Sequence, residues 1–360
     1  GGYEMKALKA YKYRLYPTSK QEEFIQKTFS CVRLVYNLML QDRIDIYKEM
    51  RKNPQQTFKM PTPAKYKKQY PVLREVDSLA LANAQVYLDR AFKNFYREKG
   101  MGFPKKKKKE TVHSYTTNNQ HGTVKILDNR YLKVPKLKSL IKMKVHRQPL
   151  GEIKSVTISM SASHNYYVSI LCEAPVETKT KQQKMVGICS SREKFALLSN
   201  GESFEKSYCS KHLKQKLRQE ERKLNKRKMI ALEKGFDLSQ AKNYQKQKIK
   251  VAKIREKIAN QRTDILNKIT TELVSSYDVI CIEKAHHCNE RPPKHDRSEL
   301  AWSLFLAKLL YKAQWYGKEL ICIESEEIET ELSFSESTEN SEYLRSKKIL
   351  ERGLSKRETL

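Results

Sequence analysis

The stretch KMVGICSSREKFALLSNGESFEK, residues 184–206, leaves few folds open. It reads as three short strands joined by tight turns. Val186 and Ile188 alternate to one side of the first strand, and Phe195, Leu197 and Leu198 supply a second apolar run. Asn200-Gly201 is a strong hairpin signal, because both residues accept the positive φ that a two-residue turn requires. Farther on, YDVICIEK (277–284) is a buried strand ending in Glu283, SELAWSLFLAKLLYKAQWYGKE a helix stopped by Gly317, and LICIES one more strand. At the end of the first strand, where a carboxylate makes chemical sense, stands Cys189.

Upstream, MKALKAYKYRLYPT opens with an alternating basic and apolar strand, and Thr18 is placed to cap a helix. Phe24, Ile25, Phe29, Val32, Val35, Tyr36, Met39 and Leu40 recur at helical spacing. After the Pro-punctuated loop 52–71, a second long helix ends at Gly100. From about residue 112 to 176 the pattern is β, and a small barrel that takes in the opening strand is expected. Between the two strand sets of the C-terminal half lie two helices, 211–276, whose apolar stripe runs through Leu213, Leu217, Leu224, Val251, Ile254, Ile258, Ile265, Ile269 and Leu273.

Charge narrows the function. Lys and Arg total 72 against 41 Asp and Glu, a formal net charge of +31. A chain this basic repels itself unless a polyanion is present, so nucleic acid leads as partner. No run of about 18 apolar residues is available to span a bilayer, no secretory start is visible, and residues 1–4 read as a remnant before Met5. The seven cysteines form no C-x-x-C pair, so reduced thiols in a cytoplasmic protein are expected. Five lysines in a row, Lys105, Lys106, Lys107, Lys108 and Lys109, cannot be packed in a core.

The phrases YKYRLYPTSKQEE, CVRLVYN, AFKNFYREKG, DNRYLKVPKLKSLIKMKVHRQ, KIREKIANQRTDILNKITTELVSSYDVICIE and WYGKELICIE, covering Met5 to about Glu324, resemble those of the TnpB family of transposon-encoded RNA-guided nucleases. The resemblance implies an α+β multidomain fold. A split wedge β-barrel of the oligonucleotide-binding type (5–18 and 101–180) holds an inserted helical recognition domain (19–100). A RuvC domain of the ribonuclease H-like type follows (181–325), with its basic hairpin at 211–276, then an acidic-to-basic tail (326–360). It also implies a guide RNA, one protein per RNA, and duplex DNA bound beside a short A/T-containing target-adjacent motif, with no membrane partner.

The departures from the family matter. Where the family's first RuvC strand runs into a GID-G phrase whose Asp is a metal ligand, this chain reads VGICSS and carries Cys189. The second acid, in the family's IED, falls on Glu283. The third acid follows a zinc module of paired C-x-x-C motifs; here the chain continues EEIETELSFSESTENSEYLRSKKILERGLSKRETL, with neither. Two Mg²⁺ ions need clustered oxygen ligands at about 2.0–2.1 Å, which one glutamate and a thiol do not provide. The expectation is therefore a degenerate RuvC site with no Mg or Zn, a chain that is not an enzyme, and a nuclease-dead TnpB-like repressor (TldR) whose functional ligand is a guide RNA and which blocks a promoter by occupying it. Alternatives remain. They are a residual nuclease using Glu283 with Glu326, Glu327 or Glu329; an RNA-binding transposon relic; Cys189 as a nucleophile with His286 or His287; and a zinc set of Cys281, His286, His287 and Cys288.

For the target-adjacent motif the candidates are Asn83 and Gln85 on the second helix and Tyr115, Thr116, Thr117, Asn118 and Asn119 in the loop after the lysine run, groups that donate and accept toward base edges. The five lysines, with Arg14 and Arg147, are expected on phosphates, which position without specifying. Lys214, Lys216, Arg218, Arg222, Lys226, Arg227, Lys246, Lys250, Lys253, Arg255 and Arg262 are expected on the guide RNA or heteroduplex.

Overall fold

The computed structural model describes residues 6–98, 100–109, 113–176, 179–191, 193–206, 210–284, 297–324, 328 and 339–358. They form two compact units, Leu8–Ala174 and Gly1–Ala7 with Pro175–Leu360.

In the first unit, β1 (Lys6–Tyr16) turns Tyr11, Tyr13 and Leu15 inward on alternate positions. Pro17 and Thr18 end it, and Thr18 caps α1 (Ser19–Lys52) through a reciprocal box. The Gln21 N–H donates to the Thr18 hydroxyl at 3.4 Å, and the Thr18 N–H donates to Gln21 Oε1 at 2.9 Å. Asp77 caps α2 (Ser78–Arg97). The strands β2 (Ser114–Asn118), β3 (Lys125–Leu127), β4 (Tyr131–Lys133), β5 (Ile141–Lys144), β6 (Glu152–Met160) and β7 (Tyr166–Pro175) complete a sheet of order β2-β6-β7-β1-β5-β4-β3. β1 lies inside it, beside β5, with Arg14 opposite Lys144. The expected barrel is thus a curled half-barrel, with β2 and β3 at its two edges.

Residues 19–100, expected as a helical recognition domain inserted in the split barrel, share its core. A single hydrophobic core joins Tyr13, Leu15 and Ile170 of the sheet to Ile25, Phe29 and Met39 of α1 and Leu81, Ala84 and Leu88 of α2. The helices cover one face of the sheet and bury their stripes there, so the two form one folded body.

In the second unit, β8 (Met185–Ser190), β9 (Ala196–Leu198), β10 (Ser203–Phe204), β11 (Val279–Glu283) and β12 (Glu319–Ile323) make a sheet of order β10-β9-β8-β11-β12. β8, β11 and β12 are parallel and β9 is antiparallel to β8. Numbered within the unit, that is the 3-2-1-4-5 order of a ribonuclease H-like sheet. The helices α3 (Lys211–Glu233) and α4 (Lys242–Ser276) connect the hairpin to β11, and α5 (Arg297–Tyr316) connects β11 to β12.

The two faces of this sheet are covered differently. Val186, Ile188, Ile280 and Ile282 pack under α4 and α5 with Leu266, Trp302 and Phe305. Cys189, Val279, Cys281 and Ile323 point the other way, to a helix in the tail, α6 (Glu339–Glu358), which buries Ile349 against them. The tail, 326–360, was expected only as an acidic and then basic segment; over Glu339–Glu358 it is a helical layer of the core. Two glycines seat it. A Cβ at Gly187 lies 2.1 Å from the Ser346 carbonyl oxygen, and one at Gly353 lies 2.2 Å from Cys281 Sγ. Only a hydrogen at these positions lets helix and sheet approach so closely.

No helix among the described residues is long and apolar enough to cross a membrane.

Candidate functional site

Parallel pairing sets Ile188 opposite Ile282, so Cys189 and Glu283 come next, side by side on the face covered by α6. Cys189 is fully buried, and its Sγ donates to the Glu342 carbonyl oxygen at 3.2 Å. Burial, reinforced by the nearby Glu283 and Glu342 charges and opposed by Arg345, pushes the thiol up to about 12. At neutral pH it is a protonated thiol and not a nucleophile.

Glu283 is 6 % exposed. Arg345 of α6 meets it with both arms of its fork: Nε donates to Oε2 at 3.0 Å, and a terminal guanidinium nitrogen donates to Oε1. The carboxylate that a metal-dependent nuclease would offer to a cation is therefore held by a guanidinium. A cluster of oxygens suited to two divalent ions is not what Cys189 and Glu283 provide. Among the described residues, no group of three His, Cys, Asp or Glu side chains is placed to hold a metal. Glu326, Glu327 and Glu329, like His286, His287 and Cys288, lie outside the described residues. Cys281 is fully buried under Gly353, with its thiol pushed up to about 11 by burial.

The motif-reading candidates divide sharply. The expected loop after the lysines is the strand β2, paired with β6 throughout. Three of its candidates are consumed by the fold. Tyr115 is core. Thr116 shares hydrogen bonds with the Tyr87 and Thr157 hydroxyls, each at 2.7 Å. Thr117 is fully buried, and its hydroxyl donates to the Asp77 carboxylate. Asn119 is turned inward as well. Its amide donates to the Ile153 carbonyl at 3.0 Å, and its Oδ1 accepts from the Val124 N–H at 3.0 Å. The strand edge keeps Asn118 exposed, and the Asn83 amide of α2 reaches its Oδ1 at 3.4 Å. Gln85, two residues along α2 and so about 200° around the helix, is not part of that pair.

Among the backbone candidates, Lys105, Lys106, Lys108 and Lys109 are exposed. Lys107 is the most enclosed of the five. It is half-buried with Nζ 4.2 Å from the Tyr36 ring centre, and burial draws its amine below the ordinary lysine range. Asn37 clamps the same residue's backbone, accepting from its N–H at 2.8 Å and donating to its carbonyl at 2.9 Å. The run is thereby held in register along α1. The Arg14 guanidinium reaches Asn165 and the Tyr167 hydroxyl, and Arg147 lies over the Tyr11 ring at 4.8 Å.

On the basic hairpin, Leu213, Leu217, Val251, Ile254 and Ile258 form the seam between α3 and α4. Lys214, Lys216, Arg218, Arg222, Lys226, Lys246 and Lys253 are exposed outside it. Three other candidates have structural partners: Lys250 lies 3.1 Å from Glu220, Arg255 pairs with Glu221 at 2.7 Å, and Arg227 donates to the Asn243 carbonyl at 3.0 Å. Arg262 buries its Nε without a hydrogen-bond partner. Glu220 itself is buried in the seam. Hydrogen bonds from Gln247, Lys223 and Lys250 hold its carboxyl down at about 2.

Sequence reasoning missed Arg345, Asp77 and Asn37. The one available signal for Arg345 was the spacing Tyr343, Ile349, Leu350 and Gly353, a weak helical stripe inside a highly charged tail.

Residues 5–52 match a family described as "Helix-turn-helix domain" and residues 169–286 one described as "Probable transposase". In this chain the first of these spans is a strand and one long helix. A protein of Streptomyces pristinaespiralis named as an RNA-guided DNA endonuclease is 30% identical over 325 residues, covering 88% of this chain and 77% of its own length. InsQ of Escherichia coli strain K12, also named an RNA-guided DNA endonuclease, is 26% identical over 340 residues, with 89% and 81% covered. Among solved structures, a Cas12f1–sgRNA–target DNA complex aligns over 96% of this chain and 98% of that one, at TM-score 0.49 and 11% identity. The relatives' names correct one expectation. Both are named as endonucleases, which are enzymes, so the reading of this chain as no enzyme does not stand on the departures at Cys189 and the tail.

Proposed function

The chain belongs to the TnpB (IS605 OrfB) family of its endonuclease relatives, and from that membership we propose that it is an RNA-guided DNA-binding protein whose output is occupancy of its target. The guide RNA is its functional ligand. Pairing between guide and one DNA strand supplies sequence specificity, while the protein reads a short adjacent motif and the shape of the heteroduplex. Where the target overlaps a promoter, the bound complex blocks transcription.

The observation that carries this reading is the Arg345 fork on Glu283 beside the buried Cys189 thiol. An acid so engaged favours a complex that stays on its DNA. The exposed Lys and Arg of α3 and α4 supply phosphate contacts, and Asn118 with Asn83 offers donors and acceptors for base edges at the end of β2.

The test is retention of duplex DNA by the protein loaded with its co-purifying RNA, on a matched and a scrambled target, with strand breaks scored in Mg²⁺ and Mn²⁺ on the same samples. Guide-dependent retention of intact DNA supports the proposal; equal retention of both targets refutes it. The second reading, guided cleavage, rests on the relatives' endonuclease names and on the presence of Glu283. It predicts metal-dependent breaks in the matched target that vanish in Glu283→Ala. Asn118→Ala is expected to change which flanking bases are preferred while leaving salt-dependent affinity for non-specific DNA in place.

A further inference from the structure

The turn between α3 and α4 holds a pocket of about 480 Å³, within the size range of small-ligand sites. Its walls combine Ile230, Phe236 and Tyr244 with Arg227, Lys234 and Lys242, and none of its lining residues is acidic. Around it the hairpin exposes Met229, Ile230, Leu232 and Phe236, each at least 41% accessible. This concentration of exposed apolar surface stands at the tip of a hairpin whose other exposed faces are mostly charged.

The walls are fixed. Gly235, at φ 68°, ends α3 in a left-handed turn that lets the Phe236 N–H reach the Ala231 carbonyl at 2.9 Å. The Asp237 carboxylate accepts from the Ser239 N–H at 2.8 Å, and Gln245 donates to the Leu238 carbonyl at 2.6 Å. Arg227 is anchored on the Asn243 carbonyl. An aromatic ring held outward by its own backbone, beside three cations, offers a base-stacking surface next to phosphate ligands.

We propose that this pocket binds an unpaired nucleotide of RNA, its base against Phe236 and Tyr244 and its flanking phosphates on Arg227, Lys234 and Lys242. The proposal deepens the guide-RNA reading and rests on it. Charge complementarity selects a polyanion, and the need for a base free of its stack selects a single-stranded RNA loop over duplex DNA. The amides of Gln240 and Asn243, also in the wall, can meet the base edge.

The experiment uses the full chain and the RNA that co-purifies with it, re-synthesised with 4-thiouridine at its unpaired uridines. Phe236→Ala and Tyr244→Ala are each expected to weaken RNA binding by about 5- to 150-fold, the range of one lost base stack. A photocrosslink is expected to map to the 227–244 segment. Phe236 is exposed, so its replacement leaves the fold intact, and unchanged tryptophan fluorescence checks this. Unchanged RNA affinity in both variants, or crosslinks confined to other segments, overturns the pocket proposal while leaving guide binding standing. A wild-type chain that holds no specific RNA overturns both.

Discussion

Replacing Arg345 with Ala removes one half of a buried ion pair and takes from Glu283 the guanidinium that both of its carboxylate oxygens meet. The Glu283 side chain is 8% exposed and that of Arg345 22%. At the 3.0 Å separation of Nε and Oε2, the gross attraction is about 5–6 kcal/mol for an effective dielectric near 20. Loss of one partner of a buried pair costs about 3–5 kcal/mol. Because the Arg345 side is partly open and water can enter the space it leaves, the low end, about 3 kcal/mol, is expected. In a unit of this size that lowers the melting temperature by about 6–12 °C. The assay is intrinsic fluorescence. Both tryptophans of the chain, Trp302 and Trp315, lie on α5 of the second unit, and the Trp302 indole donates to the Glu283 carbonyl at 3.2 Å. The signal therefore follows this unit. The double variant Arg345→Met with Glu283→Gln removes both charges at similar volume and is expected to recover most of the loss. A single variant melting within about 1 °C of wild type, or a double variant as unstable as the single one, refutes the argument that the guanidinium neutralises a buried acid.

Three further outcomes follow from the same packing. Gly187→Ala drives a Cβ into the Ser346 carbonyl and the Leu350 backbone, and is expected to cost about 1–3 kcal/mol in thermal melts, whereas Gly102→Ala, with nothing within 4 Å, is expected to be neutral. Glu220 has its folded carboxyl depressed from 4.5 to about 2, so its stabilisation is present above pH 4.5 and lost as pH falls through about 2; the melting difference between wild type and Glu220→Gln is expected at pH 7 and to vanish near pH 2, and a pH-independent difference counts against it. Cys189, raised from 9.0 to about 12, favours the folded state's protonated thiol, so stability falls as pH rises above 9.0; at neutral pH iodoacetamide is expected to spare it until the chain unfolds, and rapid native-state labelling would contradict that.

Legibility in the sequence followed from how local each cause is. The hairpin at 185–204 was visible because alternation and an Asn-Gly turn act within a few residues. The Thr18 cap and the Leu213–Ile258 seam were equally local. The strand Ser114–Asn118 looked like a polar loop because its threonines satisfy themselves on Asp77, Tyr87 and Thr157, partners that only the fold brings near. Helix α6 was hidden by charge. Its buried positions are few, and two of its contacts depend on glycines, which carry no apolar signal. The positions of Cys189 and Glu283 at strand ends were legible; the arginine that answers Glu283, 62 residues later, was not, because a long-range ion pair leaves no periodicity behind. The nucleic-acid surface was legible as charge, but which cations are engaged by the protein's own acids, as Lys250 and Arg255 are, was set by helix pairing.

The central claim is guided occupancy of DNA. Its most direct measurement is to isolate the protein from cells carrying its native locus, sequence the RNA bound to it, and map the DNA sites it holds across the genome. The account predicts one RNA species whose guide segment matches an occupied promoter, with that DNA intact. RNA binding without DNA occupancy, or occupied sites unrelated to the RNA sequence, would contradict it.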